Sequence, residues 1–313
     1  MLFNKAWHEW SAPMVWGTLM PGGDPHRNPP TKAFARYSHL TRVLILQPAI
    51  PDLSDYSTLY FLNLQRLTLT LSAESVKSMC TLIYRHTYLK ELDLTLPYTG
   101  LGRLPLDPSP LWKAICSLPN LETLHLHNIE VRCFSFELLE LRRLRHLTLH
   151  YWNSDTIGEQ ILFLSRCPSL EVLDWYPTQV YGEFRHYEER ERLNATDAEN
   201  FVWMVERRTW PKLEGLIIRG YSLNLSDEHI ARILVALPRV TNFGMRNSAF
   251  GELSFQRLRA HFLTLKELDL YNCLKATEEM LLEIVSSCSR LSRICQTDLF
   301  DIISQYGSQN DSW

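Results

Sequence analysis

Residues 265–291 read LKELDLYNCLKATEEMLLEIVSSCSRL. Leu265, Leu268 and Leu270 stand in an L-x-x-L-x-L pattern whose last two leucines alternate as the residues on one face of a strand do. Cys273 follows at the turn. Met280, Leu281, Ile284 and Val285 then recur at the 3–4 spacing of an amphipathic helix. At Leu291 the chain re-enters its starting phase with LSRI. One strand followed by one helix cannot bury its own apolar face, so the unit implies neighbours of the same kind stacked on it.

The rest of the chain supplies them. The same phase starts at Leu40, Leu64, Leu89, Leu121, Leu144, Leu170, Leu213, Val240 and Leu265, with a degenerate copy at Leu291. Helix-period segments lie between, at Ser75–His86, Thr156–Arg166, Asp197–Arg207 and Asp227–Leu237. Thr156 and Glu159 have capping-box spacing, and Pro119, Pro168, Pro211 and Pro238 follow helix ends, where a missing N–H does least harm. The pattern predicts an α/β fold: a leucine-rich-repeat solenoid, or horseshoe, with a parallel β-sheet on the concave side and helices on the convex side. The repeats span 40–296, and 297–313 holds a C-terminal cap (Leu299, Phe300, Ile302, Ile303) and tail. Two insertions, 95–108 and 176–195, fall between strand end and helix start. They project from one rim, where insertions commonly serve binding.

Composition narrows the function classes. A net charge of −3 gives no case for nucleic acid or an anionic membrane as partner. Seven cysteines form no C-x-x-C and leave one over, which fits free thiols in a reducing compartment. No stretch has the apolar run of a signal peptide or a membrane span. A cytoplasmic or nuclear location is expected. Nucleophile elbows, H-E-x-x-H, Walker and G-x-G-x-x-G motifs are all missing, so no catalytic residue, metal or cofactor is expected.

The first twenty residues read as a short amphipathic helix carrying Phe3, Trp7 and Trp10, stopped by Pro13 and followed by an apolar segment through Trp16 to Leu19. The tryptophans suit a cap on the first repeat. A Gly/Pro-rich linker, 21–39, separates this segment from the repeats.

Phe3, Trp7, Pro13, Trp16 and Leu19 also resemble the C-terminal half of an F-box. The spacing of Cys273, Thr277, Ile284 and Cys288 is similar to the cysteine-containing repeats of F-box/leucine-rich-repeat proteins. Together the chain resembles the fungal-type members of that family, with a ribonuclease-inhibitor-like repeat domain. What the resemblance implies is a non-catalytic substrate-recognition subunit of an SCF (Skp1-cullin-F-box) ubiquitin ligase. Residues 1–20 would bind a Skp1-type adaptor and the repeats would hold the protein substrate. The alternative is a repeat scaffold without ubiquitin-ligase linkage.

Side chains alternating with the leucines face the concave side. The last such position runs Thr70, Thr95, His127, His150, Tyr176, Arg219, Arg246 and Tyr271. Aromatic and Arg side chains dominate interface hot spots, so His127, His150, Tyr176, Arg219, Arg246 and Tyr271 are the expected partner-binding residues. Neighbouring imidazoles at 127 and 150 can share a metal, but no carboxylate or thiol completes a set. Asp93, Asp174 and Asp269, at the middle position, read as exposed charges too far apart for joint chemistry. Arg219 and Arg246 are adjacent and repel unless an acid intervenes. That acid is expected from an acidic or phosphorylated partner, or from Glu183, Glu188, Glu189 and Glu191 of the insertion folding back.

Overall fold

A computed structural model describes residues 11–12, 14–21, 35–46, 56, 59–70, 76–96, 109–129, 141–154, 156–179, 187–220 and 223–295. The chain divides into two compact units, 1–153 and 154–313. Strands β1 (Thr18–Leu19), β2 (Val43–Leu46), β3 (Arg66–Thr70), β4 (Glu91–Thr95), β5 (Thr123–His127) and β6 (His146–Ser154) build the first, with helices α1 (Val76–Arg85) and α2 (Ser109–Cys116) between them. The second carries α3 (Ile157–Ser165), β7 (Val172–Gln179), α4 (Tyr187–Glu206), β8 (Gly215–Ile218), α5 (Asp227–Ala236), β9 (Asn242–Met245), α6 (Glu252–Leu258), β10 (Glu267–Asp269), α7 (Glu278–Ser287) and β11 (Arg293–Cys295). Within each unit every strand pairs in parallel with its neighbours in sequence, and the sheets stay open. The fold is a leucine-rich-repeat solenoid. No helix among the described residues is long and apolar enough to cross a membrane.

The leucines explain the architecture. Leu67, Leu92, Leu124 and Leu147 are register partners on successive strands, as are Leu69, Leu94, Leu126 and Leu149, and all are buried. In the second unit Leu173, Leu216, Phe243 and Leu268 form one column and Trp175, Ile218 and Met245 the next. Trp175 stands in the place of a leucine, and its indole N–H donates to the buried Gln160 Oε1 at 2.8 Å. A buried tryptophan needs such a partner. Beyond the last column the chain turns at Asn128, Asn247 and Asn272, all at positive φ, and at Gly220, φ +90°. Asn and Gly tolerate that left-handed corner; Tyr151 occupies it with φ 53°.

Three boundaries differ from the sequence reading. The first repeat is one residue later: Thr41, Leu44 and Leu46 are buried, and Leu44 and Leu46 pair with Leu67 and Leu69. The run Val43-Leu44-Ile45-Leu46 is apolar on both faces, so alternation alone leaves its phase open, and a one-residue slip exchanges the faces. The sheet also begins before residue 40. Thr18–Leu19 pairs with Val43–Leu44, and the Gly17 carbonyl accepts from the Arg42 and Val43 amides. Leu19 is buried beside Leu44, so the end of the expected adaptor segment is the first rung of the solenoid. Finally, α4 begins at Tyr187 rather than Asp197. Its first ten residues have helix propensity but no apolar stripe, so periodicity does not mark them as helical. Phe3, Trp7, Trp10, Pro13, most of the 21–39 linker, residues 97–108 and 180–186 of the two insertions, and the cap and tail 297–313 lie outside the described residues.

Candidate functional site

The open face of the second unit holds a chain of alternating charges. Arg219 follows β8 and reaches sideways to Asp174 on β7, with Nε donating to Oδ1 at 2.6 Å and Nη2 to Oδ2 at 2.8 Å. Its Nη1 lies 3.5 Å from Asp269 Oδ2, and Arg246 Nε donates to the same oxygen at 2.6 Å. These side chains are largely covered, from 12% exposure at Asp269 to 28% at Arg246. The carboxylate of Asp174 and burial act in opposite senses on Arg219, and the pairing wins, raising its pKa.

Gly244 makes room for this arrangement. It stands between Ile217 and Asp269 in register, where a Cβ would lie 2.8 Å from Ile217 Cγ2 and 3.0 Å from Asp269 Cβ. With no side chain there, Asp269 is open to both arginines. Tyr271 closes the end, its ring 5.5 Å from the Arg246 guanidinium carbon and 42% exposed. A cation over an aromatic face is attractive. At the other end the Tyr176 ring lies over Gly220, where a Cβ would be 3.2 Å from Cζ. Tyr176, Arg219, Arg246 and Tyr271 therefore form one continuous surface.

Two expectations are corrected here. Asp174 and Asp269 are ion-paired and mostly covered, not free exposed charges. The acid that relieves Arg219 and Arg246 comes from these two residues of the sheet itself, so neither a partner nor the insertion is required to supply it. Glu183 and the side chains of Glu188, Glu189 and Glu191 lie outside the description. The signal was available: an acid at the middle position lies diagonally across from an arginine at the last position of the next strand. Asp174 and Arg219 have that relation.

In the first unit His127 and His150 are register partners, their rings edge to face with centroids 5.1 Å apart. His125 lies one step back on the same face. Burial lowers its pKa, against the pull of Asp93 and Glu91. Among the described residues no group of three or more His, Cys, Asp or Glu side chains is arranged to hold a metal. At the N-terminal end Trp16 stacks on Tyr37 with centroids 4.7 Å apart.

Fold and site together define a leucine-rich-repeat solenoid with polar and aromatic side chains ordered on its open sheet faces. No protein-family profile and no curated protein matches the sequence. Among solved structures the chain is similar to a chain of the yeast Rad7 and Elc1 complex, at 14% identity and TM-score 0.45, over 98% of this chain and 87% of that one. It is also similar to a protein from Bacteroides fragilis, at 16% identity and TM-score 0.41, over 74% and 65%. A third likeness is to a leucine-rich-repeat protein of Leptospira interrogans, at 13% identity and TM-score 0.30, over 90% and 88%.

Proposed function

We propose that this chain is a non-catalytic protein-interaction subunit that works in the cytoplasm or nucleus and grips a protein partner on the open faces of its sheets. The observation that carries this is the surface of Tyr176, Arg219, Arg246 and Tyr271, whose arginines are fixed by Asp174 and Asp269 before any partner arrives. Arg and Tyr held in place lose little entropy on binding, which is the usual character of an interface hot spot.

The resemblance of Phe3, Trp7, Pro13, Trp16 and Leu19 to half an F-box supports a narrower reading, substrate receptor of an SCF ubiquitin ligase with a Skp1-type adaptor. A specific observation favours the second reading, a scaffold with no ligase link: Leu19 is buried as part of the first rung, and Trp16 stacks within the chain on Tyr37. Gel filtration of the full-length chain with purified Skp1 separates the two. Co-elution that is lost in a Trp7→Ala variant of unchanged melting temperature supports the ligase reading. Separate elution leaves the scaffold.

A further inference from the structure

The two units differ at the middle strand position. In the second, both carboxylates of that row have arginines of their own. In the first, the row runs Thr68, Asp93, His125 and Thr148 on consecutive strands in register. Oδ1 of Asp93 and Oγ1 of Thr68 are both shut off from solvent, and neither has a hydrogen-bond partner. A carboxylate with one oxygen withdrawn from water and without a donor is costly, and its charge is poorly compensated within the chain, which favours a cation at the accessible part of the group.

The neighbours do not provide it. Arg66, one step back on the adjacent strand, is engaged with Glu91 at 3.2 Å. His125 is the lateral neighbour on the other side; it leaves Oδ1 of Asp93 without an N–H, and burial, by favouring its neutral form, limits the positive charge it can bring. Asp93 as a whole is only partly covered, so a donor from the open side can reach the carboxylate at its other oxygen, Oδ2, and compensate the charge that the sealed Oδ1 shares. One step forward along the strands lie His127 and His150, and past them Tyr151, 52% exposed. Tyr151 sits at positive φ, at the corner that asparagine fills at 128, 247 and 272. A bulky side chain in that conformation is uncommon and costs backbone energy, and such sites cluster where function holds them. A carboxylate flanked by aromatic rings suits a cation, through charge-assisted hydrogen bonding at one end and ring faces along the stem.

We infer that the open face of the first unit, centred on Asp93, docks a basic segment of the protein partner, one Lys or Arg of which pairs with Asp93 and lies along His127, His150 and Tyr151. This rests on the interaction reading above and gives that surface its sign: the unsatisfied charge on the described open face is negative. Specificity follows from the same groups, since an acidic segment would meet an uncompensated carboxylate at the centre of the contact.

The test uses the full-length chain and three labelled octapeptides, (Gly-Arg)4, (Gly-Lys)4 and (Gly-Glu)4, with binding read by fluorescence anisotropy at low and moderate salt. The basic peptides are expected to bind and the acidic one not. Asp93→Asn should weaken the basic peptides about tenfold or more, the usual scale for one hydrogen bond to a charged group. Glu283→Gln, the same loss of one acid on α7 of the other unit, where Glu283 pairs with Arg259, should leave them unchanged. Melting of Asp93→Asn without ligand gives a second readout, and its melting temperature should hold or rise because an uncompensated charge has gone. Preference for the acidic peptide, equal basic-peptide affinity in Asp93→Asn, no basic-peptide binding at all, or a lowered melting temperature each overturns the inference. The last would mean that Asp93 is held by its own chain. The Skp1 experiment does not depend on peptide charge, so it stands or falls separately, and acidic-peptide binding would leave the open face an interaction surface.

Discussion

Arg219 clasps Asp174 with two hydrogen bonds and also leans on Asp269, whose Oδ2 is the acceptor for Arg246. The two acids are therefore not equivalent. Losing Asp174 leaves Arg219 one carboxylate, whereas losing Asp269 strips Arg246 of its ion pair among the described residues and weakens the hold on Arg219. Breaking a covered pair costs more than the pair is worth, because the remaining charge stays desolvated. Asp269→Ala is expected to destabilise by about 3 kcal/mol, and Asp174→Ala by less. Urea denaturation of the two variants checks the order, and a larger loss for Asp174→Ala would mean that Asp269 is not the hub.

Gly244 is the steric condition for that hub. A methyl group there meets Ile217 Cγ2 at 2.8 Å and Asp269 Cβ at 3.0 Å, and both belong to strands paired with β9, so neither can retreat freely. Gly244→Ala is expected to cost about 1–3 kcal/mol, the range for forcing an extra methylene into a packed site. It should also loosen Arg246, so Gly244→Ala and Asp269→Ala together should cost less than the sum of the two. Additive losses would separate the glycine from the ion pairs.

How much of this was legible in the sequence depends on how local the signal was. The leucine columns were, since Leu67, Leu92, Leu124 and Leu147 need only the strand period to be found. The first rung was misplaced by one residue because Val43–Leu46 is apolar on both faces. The helical start at Tyr187 was missed because its residues carry propensity without an apolar stripe. The placement of Tyr176, Arg219, Arg246 and Tyr271 on one face follows from alternation along single strands. Their pairing with counter-ions does not, because Asp174 and Asp269 come from strands 45 and 23 residues away from the arginines that they bond. Pairing across rungs is a property of register, and it has to be computed between strands rather than read along one.

His86 ties the end of α1 to the rung before it, and the tie is pH-dependent. Its Nδ1–H donates to the Leu82 carbonyl at 2.6 Å, which leaves Nε2 to accept from the Phe61 amide at 2.9 Å. A proton added at Nε2 would abolish that acceptor inside a buried site. Burial, helped by Arg85 and opposed by the Leu82 bond, holds the imidazole below its ordinary value of 6.5. A lowered folded-state pKa means stability that is complete above 6.5 and is lost as pH falls toward the folded value. Melting temperature should therefore decline from pH 7.5 to pH 5.5. His86→Leu should be less stable at pH 7.5 yet show a shallower decline, and an unchanged slope would assign the pH dependence to other groups.

The last prediction concerns Asp227, which serves two helices at once. It lies in the first turn of α5, where a negative charge complements the helix dipole. Its carboxylate also accepts from the Gly251, Leu253 and Ser254 amides, each at 3.0 Å, and these are the orphan donors at the start of α6. Gly251 is the N-cap of α6 and has no side chain to offer, so the cap is borrowed from the preceding helix. The borrowing explains the glycine: a Cβ there would lie 3.0 Å from Asp227 Oδ2. Burial pushes the Asp227 carboxyl up, but the donations from Ser254, Leu253 and Gly251 together outweigh it and hold the pKa below its ordinary 3.8. A depressed folded-state pKa contributes stability that is present above the unfolded value and is lost as pH falls through the folded one. The joint should thus be intact at neutral pH and weaken only below about pH 4, the range of an unperturbed aspartate. Asp227→Ala is expected to cost about 2 kcal/mol, the upper range for an N-cap, because it orphans three amides together. Asp227→Asn keeps an acceptor oxygen but not the charge, so it should fall between wild type and Ala. Hydrogen exchange locates the effect: in Asp227→Ala the Gly251, Leu253 and Ser254 amides should lose protection, while the strand amides of β9 keep theirs. Protection retained at all three would show that α6 caps itself and that Asp227 acts only on its own helix.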